Sequence, residues 1–198
     1  IDVRLVGSEM CIRDRVLAQV DQGLDQCLPK ADQIPTTLHR AMHYAVNSPG
    51  KRIRSLITCA SGDLFGANIA DTLYSAVAIE LIHTYSLIHD DLPCMDNDEL
   101  RRGKPTVHVA FDEATAMLVG DALQPLAFNV LVNQETRLDY GTRLKQVGVL
   151  SESAGSLGMV GGQAIDLSQI GMNMTRKELE LMHSKKTGAL FFASAELG

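Results

Sequence analysis

Residues 90–99 place five acids in ten positions: Asp90, Asp91, Asp96, Asp98 and Glu99. Hard divalent cations take oxygen ligands, and Mg²⁺ commonly uses one or two carboxylates with substrate phosphates completing its shell. A calcium loop does not fit, because the sixth position counted from Asp96 is Arg101 and not glycine. By composition the run could also be a solvated acidic turn. The metal reading is favoured by what precedes it, a long apolar helical pattern that ends on Asp90 and Asp91. A helix C-terminus already carries partial negative charge, so two carboxylates there conflict with local rules unless a cation relieves them. Pro93 drives Leu92 out of helical geometry, so the chain can turn back and bring Asp96 towards Asp90.

Basic groups flank this cluster. Arg101, Arg102 and Lys104 follow it directly, and Gly50-Lys51-Arg52-Ile53-Arg54 forms a second group. Lys51 and Arg54, three apart at an expected helix start, would share a face where backbone N–H groups favour anions. Alone, that group reads as a solvated basic first turn. It is no Walker loop, since Ala45 and Arg52 stand where glycine and Ser/Thr are required. His83 lies seven residues before Asp90, about 20° away on a helical wheel, and both a core and a site reading stay open for it. Gln163 and Asp166 are three apart on one helical face, and Lys185-Lys186-Thr187-Gly188 offers two cations and a hydroxyl. The glycines at 155, 158, 161 and 162 lack dinucleotide-fingerprint spacing and suit close helix packing. One acidic and several basic clusters on an apolar helical scaffold fit a substrate with a diphosphate head and a hydrocarbon tail. Metal ions would bridge the carboxylates to the phosphates.

The elements that must hold these groups are helices. Periodicity of 3.6 predicts them near 16–27, 36–46, 51–65, 69–91, 112–134, 139–156 and 175–197, with no sustained two-residue alternation. Pro35 suits a first helical turn, Gly66 a helix end, Asn68 and Asp112 N-caps, and Thr175 with Glu178 a capping box. The expected architecture is one all-α bundle around the apolar helix 69–91, which would be roughly 35 Å long. With 198 residues, 45% hydrophobic and 21% charged, the chain can bury a core and general disorder is excluded. A net charge of −6 leaves no basic footprint for nucleic acid. No run of 18 apolar residues occurs, so no membrane span is expected. Cys11, Cys27, Cys59 and Cys94 have neither zinc spacing nor a disulfide framework, as for reduced thiols in a cytoplasmic protein. Both ends look artificial. Residues 6–15 resemble translated sequencing-adapter DNA, so residues 1–15 are expected to be a non-native leader. The chain stops inside a helical pattern, so 16–198 is expected to be an incomplete domain.

Asp90-Asp91-Leu92-Pro93-Cys94-Met95-Asp96 followed by Arg101-Arg102-Gly103-Lys104-Pro105-Thr106 resembles the first aspartate-rich motif of the trans-isoprenyl diphosphate synthases (polyprenyl synthetases). The segments Gly50-Lys51-Arg52-Ile53-Arg54, Gly120-Asp121-Ala122-Leu123, Gly162-Gln163-Ala164-Ile165-Asp166 and Lys186-Thr187-Gly188 follow in that family's order. Bacterial farnesyl and plant-like geranylgeranyl diphosphate synthases share the two extra residues inside the motif. The resemblance implies an isoprenoid-synthase-type helical bundle whose C-terminal part is missing, and a homodimer. It implies Mg²⁺ on Asp90 and Asp96 with Asp91 assisting. Lys51, Arg54, His83 and Arg102 would hold isopentenyl diphosphate. Arg101, Lys186 and Thr187 would hold an allylic diphosphate (dimethylallyl or geranyl), supported by Gln163 and Asp166. The implied reaction is electrophilic, with Asp90, Asp96, Arg101 and Lys186 as its catalytic residues.

In that family the residues four and five before the first Asp, here Ser86 and Tyr85, limit chain length; a bulky Tyr85 resembles the farnesyl (C15) enzymes. On an ideal wheel Ser86 sits about 40° from Asp90 and Tyr85 about 140° away, so the helix argument alone does not make Tyr85 a floor. Pro49 and Ser55 depart from the family's Gly and Pro, and a second aspartate-rich motif does not occur within residue 198. The alternatives are a geranylgeranyl diphosphate synthase, or a non-catalytic subunit or inactive fragment.

Overall fold

The computed structural model describes residues 3–132 and 138–198, with side chains from Ile12 onward. Ten α-helices are described: α1 (Val3–Cys27), α2 (Thr36–Val46), α3 (Ile53–Leu64), α4 (Ile69–Asp90), the short α5 (Val107–Ala110), α6 (Glu113–Val132), α7 (Tyr140–Ala154), α8 (Met159–Ser168), α9 (Arg176–His183) and α10 (Ala189–Glu196). A π-helical turn, Ser184–Gly188, joins the last two, and a two-stranded antiparallel ribbon pairs β1 (Leu100–Arg101) with β2 (Lys104–Pro105).

The all-α expectation holds, with α4 at its centre. From Thr72 to Ile88 this helix is buried on nearly every side, including Ala76, Ile79, Leu81 and Ile82. It packs against α1, α2, α3, α6 and α10. Capping chemistry sets the boundaries. Asn68 accepts a hydrogen bond from the Ala70 N–H, Asp112 accepts from the Thr115 N–H, and Thr175 and Glu178 form the reciprocal box. At the end of α3 the Gly66 N–H reaches the Asp63 carbonyl and the Ala67 N–H reaches Gly62, a Schellman closure.

Several boundaries differ from the sequence reading. The first helix begins at Val3 and runs without interruption through the expected leader, since no proline lies between residues 3 and 27 and Gly7 and Gly23 are tolerated within it. The helix expected over 51–65 starts at Ile53, because Arg52 takes a left-handed φ of 47°. The last helix is not one piece, and residues 159–168 form a helix that lies outside the predicted segments, although the spacing of Gln163 and Asp166 predicts one shared helical face. The expected helix end at 134 lies outside the described residues. By length and composition α6 is the one described helix that could cross a membrane; here Ala116, Val119, Leu123, Ala127 and Leu131 are buried within the bundle. Cys27, Cys59 and Cys94 are free thiols.

An ion pair sits inside this apolar bundle. Glu80, 3% exposed in the middle of α4, receives Arg52 Nη1 at 3.2 Å, and Ser55 Oγ shares its proton between Glu80 Oε2 at 3.0 Å and the Ala76 carbonyl at 2.8 Å. Arg52, 8% exposed, also donates to Asp21 at 3.1 Å and to the Val46 carbonyl at 2.7 Å. One side chain thus ties α1, the end of α2 and the start of α3 to α4. Glu80→Ala leaves a buried guanidinium without its main partner and should lower the unfolding free energy by about 3–5 kcal/mol in urea titrations. The double replacement Arg52→Met/Glu80→Leu should recover most of that loss. A single-mutant cost of about 1 kcal/mol or less, as for a surface pair, would remove this structural role.

Candidate active site

The end of α4 turns back as Pro93 predicts. The Asn97 N–H bonds the Leu92 carbonyl at 3.1 Å with Asn97 at φ 55°, and the Asp96 N–H bonds the Asp90 carbonyl at 2.8 Å. Asp96 is therefore brought back beside Asp90. The ribbon follows, reversing through Arg102 (φ 54°) and Gly103 (φ 80°), two successive left-handed residues suited to a tight hairpin. Tyr44 OH donates to the Pro105 carbonyl at 2.7 Å and Thr106 Oγ1 to the Asp98 carbonyl at 2.8 Å, holding the hairpin against α2 and the acidic turn.

Two cavities flank the C-terminal half of α4. The larger is a cleft of about 1000 Å³ between α4, α8 and the π turn. Tyr85, Ser86, His89 and Asp90 form one wall, Gln163, Lys186 and Thr187 another, and Arg54 also lines it; Met159, Val160 and Leu167 make it largely apolar. The second lies under the hairpin, lined by Arg52, Arg101, Arg102 and Lys104 with Tyr44 and Asp91. His83 lines both. A π turn places Lys186 and Thr187 on the cleft, while Lys185 Nζ points elsewhere and bonds the Leu157 carbonyl at 2.6 Å. Gly162 permits this approach, since a Cβ there would collide with the Lys186 backbone.

The expected site residues are thus largely gathered, with differences in detail. Lys51 is exposed in the two-residue stretch before α3 and does not share a helical face with Arg54, because the left-handed Arg52 intervenes. Arg54 stacks on Phe191 with its guanidinium carbon 4.7 Å from the ring centre, and its Nε is buried without a partner. Asp91, 4% exposed, is committed to Arg101, whose Nε lies 2.8 and 2.9 Å from its two oxygens and whose Nη2 also bonds it. Arg102 Nη1 reaches the Pro49 carbonyl at 2.5 Å, and Lys186 Nζ reaches Asp166 at 2.6 Å. Both polar atoms of the Gln163 side chain are buried without partners at the cleft. No three metal-ligating side chains form a cluster among the described residues, which leaves Asp90 and Asp96 as the adjacent carboxylates not tied to Arg101. Sequence reasoning missed His89, Arg52 and Glu80. Glu80 had a signal, as the lone acid within the apolar pattern of residues 72–89.

The electrostatics are those of a site short of counter-charge. Burial pushes the Asp90 carboxyl up to about 6; Asp96 and Asp91 push the same way, and Lys186 and Arg101 oppose it. Burial and the cations Arg54, Arg102, Arg101 and Arg52 push the His83 imidazole down to about 3, so it is neutral at pH 7. Burial also lowers Arg54 from its ordinary value. Because Asp90 is raised above its unfolded value near 3.8, the native state binds the extra proton between about pH 4 and 6, and stability falls as pH rises through that window. In metal-free buffer, Asp90→Asn should therefore gain stability relative to the parent as pH rises from 4 to 6, with the difference constant above about 6.5 in urea titrations. A pH-independent difference would mean that Asp90 carries no such strain.

The polyprenyl synthetase family profile matches residues 35–198. The chain is 48% identical over 184 residues to the farnesyl diphosphate synthase of Haemophilus influenzae, covering 93% of this chain and 62% of that protein. It is 43% identical over 182 residues to geranylgeranyl pyrophosphate synthase 4 of Arabidopsis thaliana, covering 90% of this chain and 48% of the relative. The chain thus spans about half to two thirds of the length of these relatives. Among solved structures it matches an FPP/GFPP synthase from Zymomonas mobilis with TM-score 0.91 and 43% identity, over 95% of this chain and 68% of that one. A geranyltransferase from Legionella pneumophila matches with TM-score 0.92 and 41% identity, over 96% and 67% of the two chains. The family profile covers most of the chain, and the relatives are alike in sequence and in helical architecture; the chain belongs to the polyprenyl synthetase family.

Proposed function

We propose that the whole protein is a trans-prenyltransferase that condenses isopentenyl diphosphate with dimethylallyl or geranyl diphosphate to give farnesyl diphosphate. The observation carrying this reading is the pair of cation-lined cavities that meet at His83, one of them with an apolar wall. Two anionic substrates, one bearing a hydrocarbon tail, would meet between them. The family names among the relatives support the class of reaction.

Asp90 and Asp96 fit Mg²⁺. A half-buried carboxyl pushed up to about 6 beside a second acid is a place where a cation is favourable, and two carboxylates are the usual protein share of a Mg²⁺ shell completed by phosphates. When bound, Mg²⁺ supplies charge stabilisation to the departing pyrophosphate. Asp91 assists by holding Arg101, whose charge reaches Asp90. Lys186, Thr187 and Gln163 orient the allylic diphosphate, with Asp166 fixing Lys186. His83 and Arg102 take the isopentenyl diphosphate in the hairpin cavity, with Lys51 added from the exposed stretch before α3, and Arg54, on the larger cleft's side of His83, lies where the two substrates would meet. The allylic C–O bond breaks to release pyrophosphate, the isopentenyl double bond attacks the cation, and pyrophosphate accepts the lost proton. Met159, Val160 and Leu167 keep water from that cation. Tyr85, buried and on the cleft wall, supports C15 over C20. The same reading makes the protein a cytoplasmic homodimer.

The test is the whole protein, as encoded at its locus, incubated with geranyl and isopentenyl diphosphates and Mg²⁺. A C15 product is expected; a C20 product would move the assignment to geranylgeranyl diphosphate, and no product under saturating substrate would overturn it. In the 198-residue chain, Lys186→Ala should weaken binding of inorganic pyrophosphate by about 10- to 100-fold in calorimetry, the worth of one charged hydrogen bond.

A further inference from the structure

His89 sits between two features already described, the acidic mouth at Asp90 and the Tyr85 wall, and has no role in either so far. Its Nε2 lies 3.1 Å from the Met117 carbonyl on α6. A carbonyl only accepts, so the imidazole must carry its proton on Nε2 and donate. The ring is admitted by Gly120, one turn along α6, where any Cβ would collide with the imidazole. On the other side His89 meets Tyr85 edge to face, with ring centres 5.8 Å apart and planes at 79°. That arrangement suits two aromatic quadrupoles.

His89 and Tyr85 are four residues apart, so they stack on one face of α4, turned towards α6. Ser86 and Asp90 form the neighbouring face. All four line the same cleft, which therefore wraps around the C-terminal end of α4. Tyr85 lies five residues, about 7.5 Å along the axis, below Asp90. A chain anchored by its diphosphate at the mouth would run down past His89 to reach it. A tyrosine ring turns about χ1 and χ2 unless packing holds it, so its value as a barrier depends on what sits beside it. Here that neighbour is a ring that is itself tied to another helix.

We propose that His89 is a positioning residue: anchored to α6 through Met117 and seated over Gly120, it holds the Tyr85 ring across the cleft and so sets the length of hydrocarbon the cleft accepts. The inference rests on reading the cleft as the allylic diphosphate pocket. It adds that the length limit is a two-ring device braced from α6 and not a property of Tyr85 alone.

The test measures binding of geranyl and geranylgeranyl thiodiphosphates, which cannot ionise readily, to the 198-residue chain with Mg²⁺ by calorimetry. The parent should prefer the C10 analogue. His89→Ala should erode that preference by about tenfold, the discrimination typical of a small change in an apolar pocket. His89→Phe keeps a ring but no donor, and His89→Gln keeps a donor but no ring; each should retain part of the preference. Ring-labelled Tyr85 should flip faster in ligand-free His89→Ala than in the parent by NMR, a readout that needs no ligand. A parent that discriminates while His89→Ala discriminates equally, with unchanged Tyr85 dynamics, overturns the role of His89 alone. A parent that binds neither analogue overturns the pocket reading and this inference with it.

Discussion

A guanidinium buried against a carboxylate in an apolar helix is costly to dehydrate unless its donors and acceptors are all met. Arg52 comes close to that condition by reaching Glu80, Asp21 and the Val46 carbonyl together. Much of the site's geometry follows. Drawing Arg52 inward forces its left-handed backbone, delays the start of α3 to Ile53, leaves Lys51 outside and sets Arg54 in the first turn, against the cleft. The carbonyl of Pro49, three residues earlier, is then in place to hold Arg102 of the hairpin. The side chain that organises the basic cluster is thus the one member whose charge is spent internally.

A similar division separates the two adjacent aspartates. Asp91 is neutralised by Arg101 and becomes structural support for the hairpin, while Asp90 stays without such a partner in a half-buried site. The strain is local and is offset by packing elsewhere: α4 is buried along most of its length, and Lys186 approaches from the π turn. Sites that must bind a cation and a polyanion gain from unmet charge of this kind, because the ligand and not the protein completes the balance.

Much of the fold was legible in the sequence because its signals are local. The apolar run of 69–91 has no polar face, so it belongs at the centre of the bundle. Asn68, Asp112 and Thr175 with Glu178 cap helices where short-range hydrogen bonding says they should. Pro93 breaks α4 and folds Asp96 back onto Asp90 for reasons confined to a few residues. The ribbon at 100–105 escaped because two-residue strands show no alternation, and the extent of α8 escaped, though not the shared face of Gln163 and Asp166, because its four-glycine neighbourhood obscures a helical pattern.

Residue types and short spacings settled the chemistry on offer: an acidic turn, several cationic groups and apolar walls within one helical chain. They did not settle which charges pair. Asp90 and Asp91 are neighbours of the same type, yet Asp91 is committed to Arg101 while Asp90 lines the cleft; Arg101 and Arg102 line one cavity, yet the first bonds a carboxylate and the second a backbone carbonyl. Such choices depend on contacts between residues 10 to 53 positions apart, and on how deeply each group is dehydrated once α3, α4 and the hairpin have packed. Tyr85 and Ser86 show the same limit. A helical wheel places them on different faces, and only the assembled bundle, with α8 and the π turn standing across from the end of α4, gives one cleft that touches both. Local stereochemistry acts along the chain, while desolvation and pairing are properties of the assembled interior.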